Sequence, residues 1–335
     1  MHHDWLAVLE EEFKSGKIQS HLDFFHNHYD LLEDNCTDDN KRRKVQRAFQ
    51  NLVKYNSISN PNKEKKPAAE KIKHEIIYEN HVENIIDTDW HNSDDTITFG
   101  LMGDTQLNSK YTQITYLHQF YDECKRCGVS EIYHTGDIDD GEKMRPGHEY
   151  ELYKLGANEH IAEIIRVYPK IEGVKTYFIT GNHDASFRKL CGLDIGEMIA
   201  DKREDMIYLG RDVCTVNITP KISMMMRHPW DGTAYALSYK PQKIIESMDE
   251  SDRPTIMGIG HYHKIEYLYY LGVHCLQTGC FQSATPFTTG KGIRVSMGGW
   301  IITLKLNPDG TLKYILPRAV TYRKPIKDDY KNYLN

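Results

Sequence analysis

No stretch of this 335-residue chain approaches the ~18 consecutive apolar residues of a membrane-crossing helix, so no membrane span is expected. The start, Met1-His2-His3-Asp4-Trp5, lacks the basic segment and apolar run of a secretory leader, so no signal peptide is expected. Cysteine is scarce: seven residues, an odd number, mostly scattered. A disulfide framework does not fit that usage, and a reducing, cytoplasmic compartment does. Cys124 and Cys127 form one CxxC, but it falls inside a helical apolar pattern and has no second pair. Two thiols on a helix face are favoured over a zinc site. Net positive charge is also missing: the chain carries −6 and shows no long basic groove. The 39% hydrophobic content with mixed charge is that of a soluble globular chain, long enough for one large domain and a small one.

What is present is a series of short polar patterns, most of them at the end of an apolar run. Residues 96–102 end at Gly103-Asp104-Thr105-Gln106, and 131–135 end at Gly136-Asp137. Residues 174–180 end at Gly181-Asn182-His183-Asp184, 222–226 end near His228, and 255–259 end at Gly260-His261-Tyr262-His263. Short apolar, β-branched runs bounded by glycine predict buried strands. Polar residues at the carboxyl ends of such strands converge on one edge of a sheet, where open α/β folds bind ligands. Carboxylate, amide oxygen and imidazole together suit manganese, magnesium, iron or zinc. Two such ions ~3.5–4 Å apart can clamp both oxygens of an in-line displacement and lower the pKa of a bound water.

Over roughly residues 96–320 the chain resembles the calcineurin-like metallophosphoesterases, on Asp104, Gly136-Asp137, Gly181-Asn182-His183-Asp184, His228 and Gly260-His261-Tyr262-His263. The resemblance implies two divalent metal ions, with manganese favoured over magnesium, iron or zinc. By it, Asp137 bridges both ions, Asp104 and His263 complete the shell of the first, and Asn182, His228 and His261 hold the second. His183 then serves the transition state or the leaving oxygen, with Asp184 orienting it. The first motif departs from the family's Asp-x-His: Gln106 stands where histidine is usual. Gln106 either ligates through its amide oxygen or contacts a bound water. Retention of the other positions argues against a metal-poor binding scaffold. The implied fold is α/β, a two-sheet βαβ sandwich flanked by helices, preceded by a small helical N-terminal module. The expected division is 1–90 for that module and 91–335 for the catalytic domain.

Helical spacing marks 111–127 and 149–168, and antiparallel strands are expected over 265–271, 273–278, 300–306 and 311–316. Arg145, His148 and Arg188 are further candidates for contact with a substrate phosphate, though surface loops explain Arg145 and His148 as well. Between Lys41 and Lys73 eleven Lys or Arg face two acids, a balance of +9 in a chain of −6. Thr37-Asp38-Asp39 is a helix-start signal, followed by Val45, Phe49, Leu52 and Val53 at helical spacing. Lys41, Arg42, Arg43, Lys44 and Arg47 fall within two helical turns. A helix-turn-helix-like module that binds an anionic partner and a merely solvated face with a linker at 60–67 both fit. The basic stretch tips the substrate toward DNA or RNA; a cyclic-nucleotide or other small-molecule diesterase, or a phosphomonoesterase, is the alternative.

Overall fold

The computed structural model describes residues 95–334 continuously, with residues 5–18, 20–29, 32, 41, 45–49 and 52 nearer the start. The expected cap at Thr37, the linker at 60–67 and the boundary near residue 90 lie outside the described residues. Among the described residues no helix is long and apolar enough to cross a membrane.

Contacts divide the chain into two compact units, 1–76 and 77–335. In the first, helices α1 (Trp5–Lys14) and α2 (His21–Asn27) contribute Leu9 and Phe24 to a small core with Ile18, Leu32 and Val45. Lys41 is buried there, its ammonium 4.6 Å from the Tyr29 ring centre, while Arg47 is exposed. Lys41 therefore does not share a solvated phosphate-binding face with Arg47, because the hydrophobic stem of a lysine packs well against an aromatic ring.

The second unit is built on two sheets. Strands β1 (Thr96–Met102), β2 (Glu131–His134), β3 (Lys175–Thr180) and β4 (Met206–Arg211) run parallel. Antiparallel β10 (Met297–Leu306) and β11 (Leu312–Tyr322) complete the order β11-β10-β1-β2-β3-β4. The other sheet has the order β5-β6-β7-β9-β8, from β5 (Val213–Thr219), β6 (Ile222–Arg227), β7 (Ile256–Ile259), β8 (Ile265–Tyr270) and β9 (Val273–Thr278). Phe99, Tyr133, Ile179 and Ile302 of one sheet meet Val216, Met224 and Leu276 of the other in one core. Each fully buried side chain of this kind is worth about 1.5–3 kcal/mol. The outer face of the first sheet packs on helices α3 (Ile114–Arg126), α4 (Ala157–Val167), α5 (Ala185–Cys191) and α6 (Ile195–Lys202). Helix α7 (Tyr239–Glu246) backs the second sheet through Ile245. This is the two-layer α/β sandwich with flanking helices that the motifs imply.

Three expected elements differ. The helix over 149–168 splits into a 3-10 turn, His148–Glu151, and α4. Leu152 between them bridges to Ser109 and Gly156 takes φ 91°, a combination a continuous helix cannot hold. The last two strands extend further, to Met297–Leu306 and Leu312–Tyr322, because they pair with each other beyond the apolar runs that mark them. In the CxxC, Cys124 is buried in α3 and Cys127 is exposed at its end.

Candidate metal centre

The polar patterns do meet at one edge. β1, β2, β3, β6 and β7 all end there, and the chain turns sharply after each. Asp104, Gln106, Asp137, His261 and His263 take φ between 48° and 76°, a region that costs non-glycine residues energy and clusters at functional sites. Close approach explains two glycines. A Cβ on Gly181 would lie 2.7 Å from the His228 ring, and one on Gly136, at φ 96°, would lie equally close to His228 Nδ1.

Four of the predicted residues converge tightly. His228 Nδ1 lies 2.8 Å from the Thr135 carbonyl and His261 Nε2 lies 2.5 Å from the Asp231 carbonyl. Each ring must donate at those atoms, which turns the other nitrogen inward. His228 Nε2 and His261 Nδ1 then face Asn182 Oδ1 at 3.0 and 2.9 Å, and His228 Nε2 also faces Asp137 Oδ2 at 3.2 Å. Burial and neighbouring His228 lower the pKa of His261, so its ring is neutral. Burial would lower His228 too, but Asp137 outweighs it and lifts that ring to about 9. A proton at His228 thus does what a cation would do among these converging electron pairs. Asp137, His228 and His261 can each offer one ligand atom, all within 4.8 Å of one another.

The remaining three flank them. Asp104, fully buried, accepts the His261 backbone N–H at 2.9 Å and lies 3.3 Å from His263 Nε2. Gln106 donates through Nε2 to Asp137 Oδ2 at 3.0 Å, and its Oε1 is buried with no donor. An orphaned buried acceptor costs about 1–3 kcal/mol. A cation or its bound water would relieve that cost. The donor set therefore fits hard or borderline divalent ions.

His183 sits beside this cluster, one-fifth exposed, and its backbone N–H is held by Asp137 Oδ1 at 2.8 Å. Its ring donates from Nδ1 to the Asp140 carbonyl at 2.6 Å, with the Asp140 carboxylate 3.4 Å away. Asp184, expected to orient His183, does not meet that ring. Its carboxylate accepts the N–H groups of Gly181, Asp139 and Ile138 at 2.8, 2.9 and 3.3 Å, which ties the third loop to the second. The residue missed was Asp140. Its signal was a carboxylate three positions after Asp137, which the positive φ of Asp137 swings back toward the third loop. Buried His148 lies behind Asp140, Nε2 to Oδ2 at 3.3 Å, so it does not face a substrate. Arg145 pairs with Glu151 at 2.5 Å and lies over the Phe287 ring. Arg188 is exposed on α5.

A sequence model of calcineurin-like phosphoesterases matches residues 88–283. The DNA polymerase II small subunit of Methanothermobacter thermautotrophicus is 27% identical over 185 residues, 46% of this chain and 38% of that protein, so the chain spans well under half its length. A solved archaeal phosphodiesterase aligns with 67% of this chain and all of its own, at 15% identity and TM-score 0.38. Vacuolar protein sorting 29 of Cryptosporidium parvum aligns with 68% of this chain and all of its own, at 14% identity and TM-score 0.34. The family assignment rests on the sequence model, which covers more than half of the chain. The chain belongs to the calcineurin-like phosphoesterases, hydrolases of phosphoester bonds.

Proposed function

We propose that this chain is a metal-dependent phosphodiesterase acting on nucleic acid. The observation that carries the metal dependence is the convergence of His228 Nε2, His261 Nδ1, Asn182 Oδ1 and Asp137 Oδ2, with the proton that Asp137 holds on His228 standing where a cation would. Asp104 and His263, with Gln106, would hold one divalent ion, Asn182, His228 and His261 the other, and Asp137 both. Bound there, the ions supply hydroxide near neutral pH and positive charge for the phosphoryl oxygens. Manganese is the favoured ion, because an amide oxygen at Gln106 is a harder donor than imidazole.

His183 provides what the ions do not. Its Nδ1 proton is committed to Asp140, so Nε2 is the atom that can meet the leaving oxygen. Burial would lower this ring, but Asp137 and Asp140 raise it, and Asp140, which no proposed ion engages, is the partner that would keep a proton on the ring when the ions take up the charge of Asp137. Asp140 is the positioning residue and Asp184 a brace of the loops. Asp140→Asn should therefore lower turnover of poor leaving groups more than good ones, whereas Asp184→Asn should lower the melting temperature first. The reverse pattern would restore Asp184 as the partner of His183.

The nucleic-acid part is supported by the basic stretch of residues 41–73 and by the name of the archaeal relative. The same proposal divides the chain at residue 90. Turnover of bis(p-nitrophenyl) phosphate with manganese, abolished by chelation, tests the chemistry. A comparison of single-stranded DNA, duplex DNA, RNA and cyclic dinucleotides tests the substrate. Exclusive cleavage of a cyclic dinucleotide would replace the nuclease reading. Deleting residues 1–73 should leave the aryl diester reaction intact and flatten the salt dependence of DNA binding, since each phosphate contact contributes roughly 0.7–0.9 to the log–log slope.

A further inference from the structure

Three loops stand around the metal centre, and each is tied to it by a hydrogen bond. Residues 229–238 are tied through Asp231, whose carbonyl accepts from His261. Residues 141–156 are tied through His148 and Asp140 to His183. Residues 283–296 are tied through Ser296, whose N–H donates to the His263 carbonyl at 2.8 Å. Each carries large aromatic surface outward. Trp230 is 51% exposed, Tyr235 of the same loop fully so, Tyr150 78% and Phe287 41%. Cations accompany the rings. Lys189 of α5 lies 4.4 Å from the Trp230 ring centre, and Arg145 lies 4.7 Å from that of Phe287. Helix α5 carries Arg188 and Lys189 and no acid, and residues 283–296 carry Lys291 and Arg294 and no acid, in a chain that is negative overall.

Apolar planes alone would suit a protein partner. Apolar planes beside cations suit a ligand that is both planar and anionic, and the cations of α5 and of residues 283–296 have no acid on their own segments, whereas Arg145 is shared with Glu151. A nucleic-acid strand is that ligand, and only an unpaired strand has base faces free to stack. We infer that Trp230, Tyr235 and Phe287 form a base-stacking rim, with Lys189 and Arg145 beside it, that delivers single-stranded nucleic acid to the metal centre. The inference rests on the phosphodiesterase reading and narrows its substrate to unpaired strands.

The test uses the full-length chain and a fluorescein-labelled oligothymidylate of fifteen residues, bound in the presence of chelator so that cleavage does not interfere. Trp230→Ala and Phe287→Ala should each weaken binding roughly tenfold, the usual loss on removing a ring that stacks one base. Trp230→Phe should restore most of the affinity, because it keeps a ring while losing the indole hydrogen bond to Asp212. The melting temperature should stay within a few degrees of the wild type in all three, which reports that the variants are folded. A hairpin duplex of the same length should bind the wild type at least tenfold more weakly than the single strand. Equal binding by wild type and both alanine variants overturns the inference, as does a preference for the duplex. If the wild type binds the strand through these rings but hydrolyses neither it nor the aryl diester, the phosphodiesterase reading fails and the rim stands.

Discussion

The two ends of the parallel sheet treat buried charge in opposite ways. At the carboxyl ends of the strands a carboxylate, an amide oxygen and two imidazole nitrogens converge, and a single proton on His228, held by Asp137, stands between them. At the amino ends of β3 and β4, every buried charge meets its complement. Arg203, 4% exposed, donates from Nε and Nη2 to both oxygens of Asp205, at 2.8 and 2.6 Å. Its other N–H groups reach the carbonyls of Ile165, Tyr168 and Pro169 at 2.8–3.1 Å. Backbone strain follows the same division: six of the eleven described non-glycine residues with positive φ are Asp104, Gln106, Asn108, Asp137, His261 and His263. A buried cluster of acceptors joined by one proton and built on strained backbone persists only if the surrounding fold enforces it, and that is the signature of a site rather than of a stabilising device. A cluster that satisfies itself, like Arg203 with Asp205, stabilises the fold and needs no ligand.

Substitutions at the two ends should therefore separate activity from stability. The largest effect is expected for Asp137→Asn. Removing the charge shared by both proposed metal positions should lower turnover by at least roughly 10³, about 4 kcal/mol in barrier, with the protein still folded. Near-normal turnover at saturating manganese would end the bridging role. His183→Ala comes next, with a loss of roughly 10²–10⁴ that is smallest for good leaving groups. Elemental analysis should find its metal content unchanged; lost metal would make His183 a ligand.

At the other end, Arg203→Ala should cost about 1–3 kcal/mol of stability, because it leaves the half-buried Asp205 carboxylate and the carbonyls of Ile165, Tyr168 and Pro169 without their donor. Turnover per folded molecule, measured well below the melting temperature, should not change. The gap has a pH signature. Burial raises Asp205 but the Arg203 fork outweighs it and holds the carboxyl below its ordinary range. A depressed carboxyl contributes stability above its unfolded value, ~3.9, and loses it as pH falls through the folded value. The difference between Arg203→Ala and wild type should shrink in acid, and a constant difference would mean that packing rather than the ion pair is lost.

The smallest effect sharpens the metal centre itself. Gln106→His replaces an amide oxygen with imidazole and should tighten zinc and iron relative to manganese, with little change in stability. An unchanged affinity order in a metal titration would place Gln106 outside the ligand set, in contact with a bound water.

Much of the site was legible because its residues sit at strand ends marked by glycine. The apolar runs before Asp104, Asp137, Asn182, His228 and His261 announce five strands, and parallel pairing carries their ends to one edge. The partner of His183 was not legible. Asp184 stands inside a motif next to His183 and Asp140 three positions after one, and only the turn at Asp137 shows that Asp140 is the carboxylate beside the ring. Strands β4 and β5 carry no ligand and weak patterning, and their place depends on edges offered by β3 and β6. The rim was invisible for the same reason: Trp230 and Phe287 belong to separate loops, and spacing along the chain says nothing about which loops share an edge.

The sequence by itself determined the family, the two-layer α/β architecture and the identity of the residues at the centre, because each is encoded locally by a strand, a glycine and the side chain that follows. The tertiary structure alone decided which lone pairs face each other, which carboxylate holds His183, why Gln106 is left with an unsatisfied oxygen, and which aromatic rings surround the edge. Those are distances between residues up to 159 positions apart, as between Asp104 and His263. They are set by sheet register and core packing rather than by any local preference of the chain.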